Sequence, residues 1–471
     1  MSARVVVAGS GAICAAGTSP EQIWEAVRSG RSAIRPIRQW DASGWPTPLA
    51  GEIVGLDPRA LVEDRKIHKL LQRTDLLGLY AAGRALDDSG FVVYRETLSP
   101  PVAAAVNDRT GVYVGMGSGG FQIEHEFFPL FTAASGDIET FGRELASTVN
   151  PMWLLRSMPN NVLCHIGIRY GLKGPNACVT NHSVSGSLAV VEAAAALRAG
   201  EADRALAVGH DAPVEPQTML YYQQLGLLGA DGLRPFDARR GGSLLGEGAA
   251  ALLLETDTAA AARRSTVFGE FLGSGCTSEA EGLLAIRADG DGLADAIALA
   301  LDDAGMRPAE VGMIVAHGNG SRLSDASEAA AIRRAFGAAV PPVTAFKWAF
   351  GHPLAPSGIL DSLLALAALR HGVVPGVATL RELDPEFADL PLSARPQVPR
   401  SDVALILNRG FGGANVALLL RAAARDAADR AESLSLPASL PSPPRSRTGE
   451  PSTDAQDADP SPRLPAPYPA G

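Results

Sequence analysis

The sequence predicts an α/β protein built from two similar halves. Short apolar strand-like runs alternate with helix-like runs over most of its length, the pattern of strands layered against helices. A six-residue segment also recurs. Ala85-Leu86-Asp87-Asp88-Ser89-Gly90 is echoed by Ala300-Leu301-Asp302-Asp303-Ala304-Gly305. Each copy ends a helix-like run on glycine, and each is followed by a strand, at Val112 and at Met313. Finally, 471 residues at 46% hydrophobic content suffice for two core-sized halves.

In chain order, Arg4 to Ala8 reads as the first strand and Glu21 to Ser29 as the first helix. Apolar runs at Thr110 to Gly115, Ala205 to Gly209 and Ala249 to Leu254 read as further strands of the first half. Met313 to Ala316 and Val403 to Leu407 read as strands of the second. The halves join near residues 256–266, so the expected organisation is 1–256, 257–425 and a tail, 426–471. The tail holds ten of the 34 prolines, with Ser, Ala and Asp and no hydrophobic periodicity. It is expected to be disordered, either simply solvated or a docking segment.

A net charge of −10 argues against a nucleic-acid surface. It leaves room for a local basic patch facing an acidic partner. Cys14, Cys164, Cys178 and Cys276 are scattered, with no CxxC pair, and read as buried reduced thiols. No secretory pattern opens the chain and no apolar run reaches membrane-spanning length, which predicts a cytoplasmic protein without membrane contact. Only four of the 41 basic residues are lysine: Lys66, Lys69, Lys173 and Lys347. A lysine kept in an arginine-rich chain hints at a place that needs a compact ammonium.

One junction stands out chemically. Ala177 to Thr180 reads as a strand, Asn181-His182-Ser183-Val184-Ser185-Gly186 as a turn, and the nearly all-apolar run to Leu197 as a helix closed by Gly200. A side chain at a strand-to-helix junction meets free backbone N–H groups and the positive end of the helix dipole. Both favour a nucleophile and the oxyanion formed when it attacks a carbonyl. Ser183 holds that place. A serine hydroxyl does not ionise unaided, so it needs a base, and His317 or His352 is expected to supply one.

His317 lies in Ala316-His317-Gly318-Asn319-Gly320-Ser321, directly after an apolar strand. Alone it reads as a structural histidine. Asp325 and Glu328, three residues apart where the next helix starts, read equally as a capping box. Lys347 and His352 share Phe346-Lys347-Trp348-Ala349-Phe350-Gly351-His352-Pro353, where a cation can steer anionic groups and keep an imidazole neutral. The alternative is a surface lysine beside a loop histidine. Gly410-Phe411-Gly412-Gly413-Ala414-Asn415 follows the last apolar strand and reads as a hinged aromatic over a cavity; the GK[ST] ending of a phosphate cradle is missing. Arg234-Pro235-Phe236-Asp237 and Gly246-Glu247-Gly248-Ala249 read as structural. No metal or nicotinamide site is visible.

In this order and spacing the pieces resemble the β-ketoacyl-[acyl-carrier-protein] synthase family of the fatty-acid elongating type. The resemblance runs from Arg4 to about Leu420 through GVYVGMGSGG, IRYGLKGPNACVT, RPFD with LGEGAAALLLE, AHGNGS, FKWAFGH and GFGGAN. It implies a thiolase-like fold, two pseudo-symmetric halves in a five-layered α-β-α-β-α core. It also implies a homodimer, or a heterodimer with another ketosynthase, that works with an acyl carrier protein. No cofactor of its own is expected beyond the phosphopantetheine arm that carries the substrate.

Residue by residue, the resemblance places Ser183 on the acyl-accepting cysteine and His317 and His352 on the two histidines that assist decarboxylation. Lys347 falls on the family lysine and Glu328 on its supporting acid. Phe411 falls on the aromatic gate, its N–H sharing the oxyanion hole with that of Ser183. Asn319 and Ser321 fall on arm-contacting threonines, and Ser118 on the floor of the acyl pocket. The departures are serine for cysteine, His182 for a small neighbour, Arg409 for a Phe beside the gate, His210-Asp211 for a small turn, and Gly241 for an Asp. They predict a more polar pocket with Arg409 among its substrate contacts. Cys178 lies too early to be the nucleophile and reads as a buried strand residue.

Three functions follow. An acyl-serine is an oxoester, a poorer electrophile than a thioester, so the first is a stand-alone ketosynthase-like enzyme. It loads an acyl group onto Ser183 and then transfers, cyclises or releases it. The second is an ordinary decarboxylative chain-elongating synthase. The third is a non-catalytic partner resembling a chain-length factor.

Overall fold

Strand β1 (Val5–Cys14) lies at the centre of the fold. The first half continues with β2 (Thr110–Met116), β3 (Asn176–Thr180), β4 (Arg204–Asp211) and β5 (Gly248–Thr256). The second holds β6 (Gly269–Ser278), β7 (Met313–Val315), β8 (Val343–Thr344), β9 (Val403–Gly410) and β10 (Ala414–Ala422). This computed structural model describes residues 3–117 and 127–424. Ser118 and the tail 426–471 lie outside the described residues. What is described belongs to one compact unit.

Outward from the centre, β1-β5-β4-β2-β3 on one side matches β6-β10-β9-β7-β8 on the other. The directions match as well. The two inner pairs of each half are antiparallel, and the outer pairs are parallel. β1 and β6 join the halves as antiparallel neighbours from Val5↔Phe271 to Val7↔Gly269. The echo in the sequence is therefore one part of a pseudo-two-fold repeat.

Helix packing makes the repeat five layers deep. Helix α1 (Pro20–Arg28) packs beside β1. Helix α2 (Arg73–Asp88) covers the outer face of β1, β5 and β4. Helices α3 (Ser185–Arg198), α4 (Asp291–Asp303), α5 (Arg322–Phe336) and α6 (Ser357–His371) follow. α4 covers β6 and β10, backed by α5, while α3 and α6 touch each other and strands of both halves. The order is α-β-α-β-α, the thiolase-like fold. Lying between the sheet halves, α6 is covered nearly all round and α3 over most of its surface, with Glu192 and Ala195 exposed, which is why both are largely apolar.

Glycines seat the outer helices. A Cβ on Gly11 would run into the carbonyl oxygen of Ala81 on α2, and one on Gly275 into that of Ala296 on α4. These are matching positions of the two halves.

Several expectations change in the structure. The first strand runs on to Cys14, through small residues of low strand propensity that pair with β5. Strands β6 and β10 follow where the sequence signalled none, so the glycine-rich loop at Gly410–Asn415 is a tight turn between antiparallel β9 and β10. Gly412 and Gly413 take φ of 74° and 70° there, which a side chain would resist. Of the cysteines only Cys14 is buried; Cys164 and Cys178 are half-buried and Cys276 is exposed. Cys178 gives its thiol to the carbonyl of Pro159. Among the described residues no helix is long and apolar enough to cross a membrane.

Candidate functional site

β3 ends at Thr180, and a single turn, His182–Val184, leads into α3. Asn181 N–H is taken up by Ser185 Oγ at 2.7 Å, which fixes the turn. Ser183 is buried at the head of α3, where the first N–H groups have no helical acceptor. One close approach brings the second half to it. Gly186 N–H bonds Ala355 C=O at 3.1 Å, and a Cβ on Gly186 would collide with that oxygen. This contact sets His352 against Ser183, with Ser183 Oγ 3.3 Å from Nε2 of His352.

His352 is held on both sides of its backbone. Its N–H donates to Leu244 C=O at 2.7 Å, and its C=O accepts from Gly246 N–H at 2.9 Å. The amide N–H of Leu354 donates to its Nδ1 at 3.3 Å, and Ser357 Oγ lies 3.1 Å from the same atom. His317 follows β7 and is braced from α5. Glu328 accepts the N–H of His317 at 2.6 Å and that of Gly318 at 3.0 Å. Asp325 accepts from Phe236 N–H and Gly320 N–H. Neither acid caps a helix: α5 starts earlier, from Ser321, and both side chains are buried within it. The N–H of Arg409 donates to Nδ1 of His317 at 3.3 Å. The two imidazoles meet edge to face with centroids 5.1 Å apart.

These hydrogen bonds decide the tautomers. A ring nitrogen that accepts a backbone N–H carries no proton, so in each neutral ring the proton sits on Nε2. Burial holds both imidazoles well below the usual range, and the Lys347 ammonium adds to it. Both rings therefore present N–H donors. The expectation that one of them takes the Ser183 proton is corrected: their accepting nitrogens are occupied by the backbone.

Ser183, His317, His352, Asn319, Ser321 and Phe411 line one cavity of about 720 Å³, its open mouth included. The structure brings these sequence candidates together. Leu283, Leu284 and Ile286 give it an apolar wall. Phe411 packs on His182 at 4.5 Å between centroids and on Tyr222 at 5.8 Å.

Other candidates stand differently. Lys347 is fully buried, away from the cavity wall, and paired with Asp361 at 3.0 Å. Its charge helps to hold both imidazoles neutral. Arg409 lines the cavity, with three of its five N–H donors used: to Glu279 at 2.6 Å, to Asn415 at 3.1 Å and to Ser324 C=O at 3.3 Å. Glu279 and Asn415 fix the guanidinium at the cavity wall. His210 and Asp211 are buried under the site at the end of β4, with Thr74 Oγ1 2.9 Å from His210 Nδ1. They add nothing polar to the cavity wall, and Gly241 is exposed on a loop. Glu247 pairs with Arg73 at 2.7 Å, and Asp237 takes the N–H groups of Arg381 and Glu382. Both motifs are structural, as read.

Sequence reasoning missed Tyr222, Glu279, Leu354 and Asp361. The signal for Asp361 was its place in an otherwise apolar helix. Nothing local marks the others.

Comparison with known proteins agrees with this fold. The model "Beta-ketoacyl synthase, N-terminal domain" matches residues 2–260, and "Beta-ketoacyl synthase, C-terminal domain" matches 268–381. The chain belongs to the β-ketoacyl synthase family. It is 32% identical to Nodulation protein E of Rhizobium meliloti (strain 1021), over 89% of this chain and 100% of that one. It is 30% identical to 3-oxoacyl-[acyl-carrier-protein] synthase 2 of Coxiella burnetii, over 88% and 98%. It is 32% identical to the actinorhodin polyketide putative beta-ketoacyl synthase 1 of Streptomyces coelicolor, over 89% and 88%. Among solved structures, the ishigamide ketosynthase/chain length factor superposes with a TM-score of 0.79 at 29% identity, over 90% of this chain and 100% of that one.

Proposed function

We propose that this ketosynthase-type enzyme takes an acyl group from the phosphopantetheine arm of an acyl carrier protein onto Ser183. It then transfers, cyclises or releases that group in a polyketide- or fatty-acid-type pathway. The observation that carries this reading is Ser183 Oγ, buried in the cavity 3.3 Å from the Nε2 of His352. An oxoester at Ser183 is a weak acceptor for a carbanion, so an amine, an alcohol or an internal nucleophile is the favoured second substrate. Asn319 and Ser321 at the cavity wall offer polar contacts for the arm. A homodimer is part of the proposal. Intact-mass spectrometry after incubation with acyl-carrier-protein donors tests it: an acyl adduct on the native chain and none on Ser183→Ala is expected. No adduct with any donor favours a non-catalytic partner.

A second reading, decarboxylative chain elongation, is favoured by the two Nε2–H donors of His317 and His352. Such a pair suits the enolate left when a malonyl group loses carbon dioxide. Malonyl-dependent lengthening of the adduct distinguishes it.

A further inference from the structure

We propose that His182 is the general base for Ser183, with Tyr222 packed on its ring. The proposal rests on the reading that Ser183 is acylated. It starts from the protons on one hydroxyl. Ser183 Oγ has one proton to give and lone pairs to receive. His352 meets it with Nε2–H, a donor, because Leu354 N–H occupies Nδ1. The serine proton must therefore point elsewhere. Nδ1 of His182 lies 3.4 Å from the same oxygen. Contacts of this kind are often long before substrate binds and tighten in the reacting complex.

The His182 ring is placed for this task. Its Nε2 lies 3.1 Å from Tyr222 Oη, on the helix Pro216–Gln224. Tyr222 Oη also lies 3.5 Å from Nδ1, so it sits over the edge of the ring and Nε2–H does not point at it; the base needs the tautomer with its proton on Nε2 and Nδ1 free to accept. Unlike His317 and His352, it has no backbone N–H recorded on Nδ1 among the described residues. The ring clusters with Phe411 and Tyr222, at centroid distances of 4.5 Å and 6.1 Å, and those two rings lie 5.8 Å from each other. Its backbone takes φ of 51°, left-handed and unusual for a residue with a side chain. Such strain persists where the surroundings enforce it, commonly at working sites. Burial pushes the imidazole down to about 4, so it is neutral and able to accept at pH 7. The groups facing it are Ser183, Tyr222, Phe411 and, beyond Ser183, His352.

The step balances without a further reactant. Ser183 Oγ attacks the carrier-bound thioester, the C–O bond forms, and the hydroxyl proton passes to Nδ1 of His182. Tyr222 Oη, over the edge of the ring, presents its oxygen to the imidazolium. The C–S bond then breaks, and Nδ1 returns the proton to the leaving thiolate. Thioester and alcohol become oxoester and thiol. A thiol at this position ionises far more readily and has little need of the base. That is the physical reason a serine nucleophile and a neighbouring histidine belong together here.

The test is the rate of adduct formation at pH 7 from one acyl-carrier-protein donor, followed by intact mass on the full chain. His182→Gln, nearly isosteric, should slow it by about 10²–10⁴-fold; Tyr222→Phe should slow it less. In a Ser183→Cys background both losses should shrink to within about fivefold, because the thiol supplies its own anion. A merely structural role for either residue would slow both backgrounds alike and overturn the proposal. Native-rate adduct formation in His182→Gln and His182→Ala overturns the base assignment and leaves acylation of Ser183 standing. No adduct on the native chain, with adduct on Ser183→Cys, overturns both.

Discussion

Leu354 donates its amide N–H to Nδ1 of His352 at 3.3 Å, and that hydrogen bond settles how the ring acts. It leaves Nε2 protonated and facing Ser183 Oγ. Arg409 N–H does the same for His317. His317 and His352 are buried hydrogen-bond donors at the cavity, suited to negative charge developing on oxygen.

His352→Ala should lower the acylation or decarboxylation rate by roughly 10²–10³-fold, the usual cost of losing one oxyanion-type donor. His352→Gln, which keeps an N–H at about the same reach, should recover a good part of that loss. Single-turnover kinetics on both variants check this. Equal loss in the two would mean that the ring moves a proton.

Lys347 and Asp361 form a buried pair at 3.0 Å. Lys347→Met leaves the Asp361 carboxylate buried without its cation and should destabilise the fold by about 3–5 kcal/mol. Lys347→Met with Asp361→Leu should regain most of this. Denaturant unfolding of native, single and double variants gives the coupling directly.

Stability should depend on pH through Asp211. Burial raises its carboxyl to about 7, against an ordinary carboxylate value near 4 when unfolded. Between those values the folded chain holds a proton that the unfolded chain has lost. Stability from this group is therefore greatest below about pH 4 and declines as pH rises towards 7. Asp211→Asn should raise the unfolding free energy at pH 8 by a few kcal/mol, on the order of the full pKa displacement. It should change little at pH 4. An equal gain at both pH values would contradict the assignment.

The glycines under the outer helices should be equally intolerant in both halves. Gly11→Ala and Gly275→Ala push a methyl group into a helix carbonyl and should each cost at least about 1–3 kcal/mol. Gly142→Ala, on an open face of the helix Ile138–Thr148 with nothing near its Cβ position, should instead stabilise by up to about 1 kcal/mol. Thermal unfolding of the three variants is sufficient.

Much of this protein was legible before any coordinates. The nearly all-apolar run after Ser183 reads as a helix, and α3 lies between the sheet halves. The echo of Ala85–Gly90 at Ala300–Gly305 marks equivalent ends of α2 and α4. The ordered motifs bring Ser183, His317, His352, Asn319, Ser321 and Phe411 to one cavity. Strands β6 and β10 were not legible, because glycine and small polar residues fill much of β6, and β10 hides behind the glycine loop.

The sequence by itself determined the layered architecture and the chemical inventory, because hydrophobic periodicity and motif order are written in residue types. Tertiary structure decided what each group does. Arg409 is held at the cavity wall by Glu279, from a distant strand end. His317 and His352 looked like bases until two backbone N–H groups took their accepting nitrogens. Those partners are remote in sequence or depend on backbone direction, and a hydrogen bond has a direction that residue identity alone does not carry.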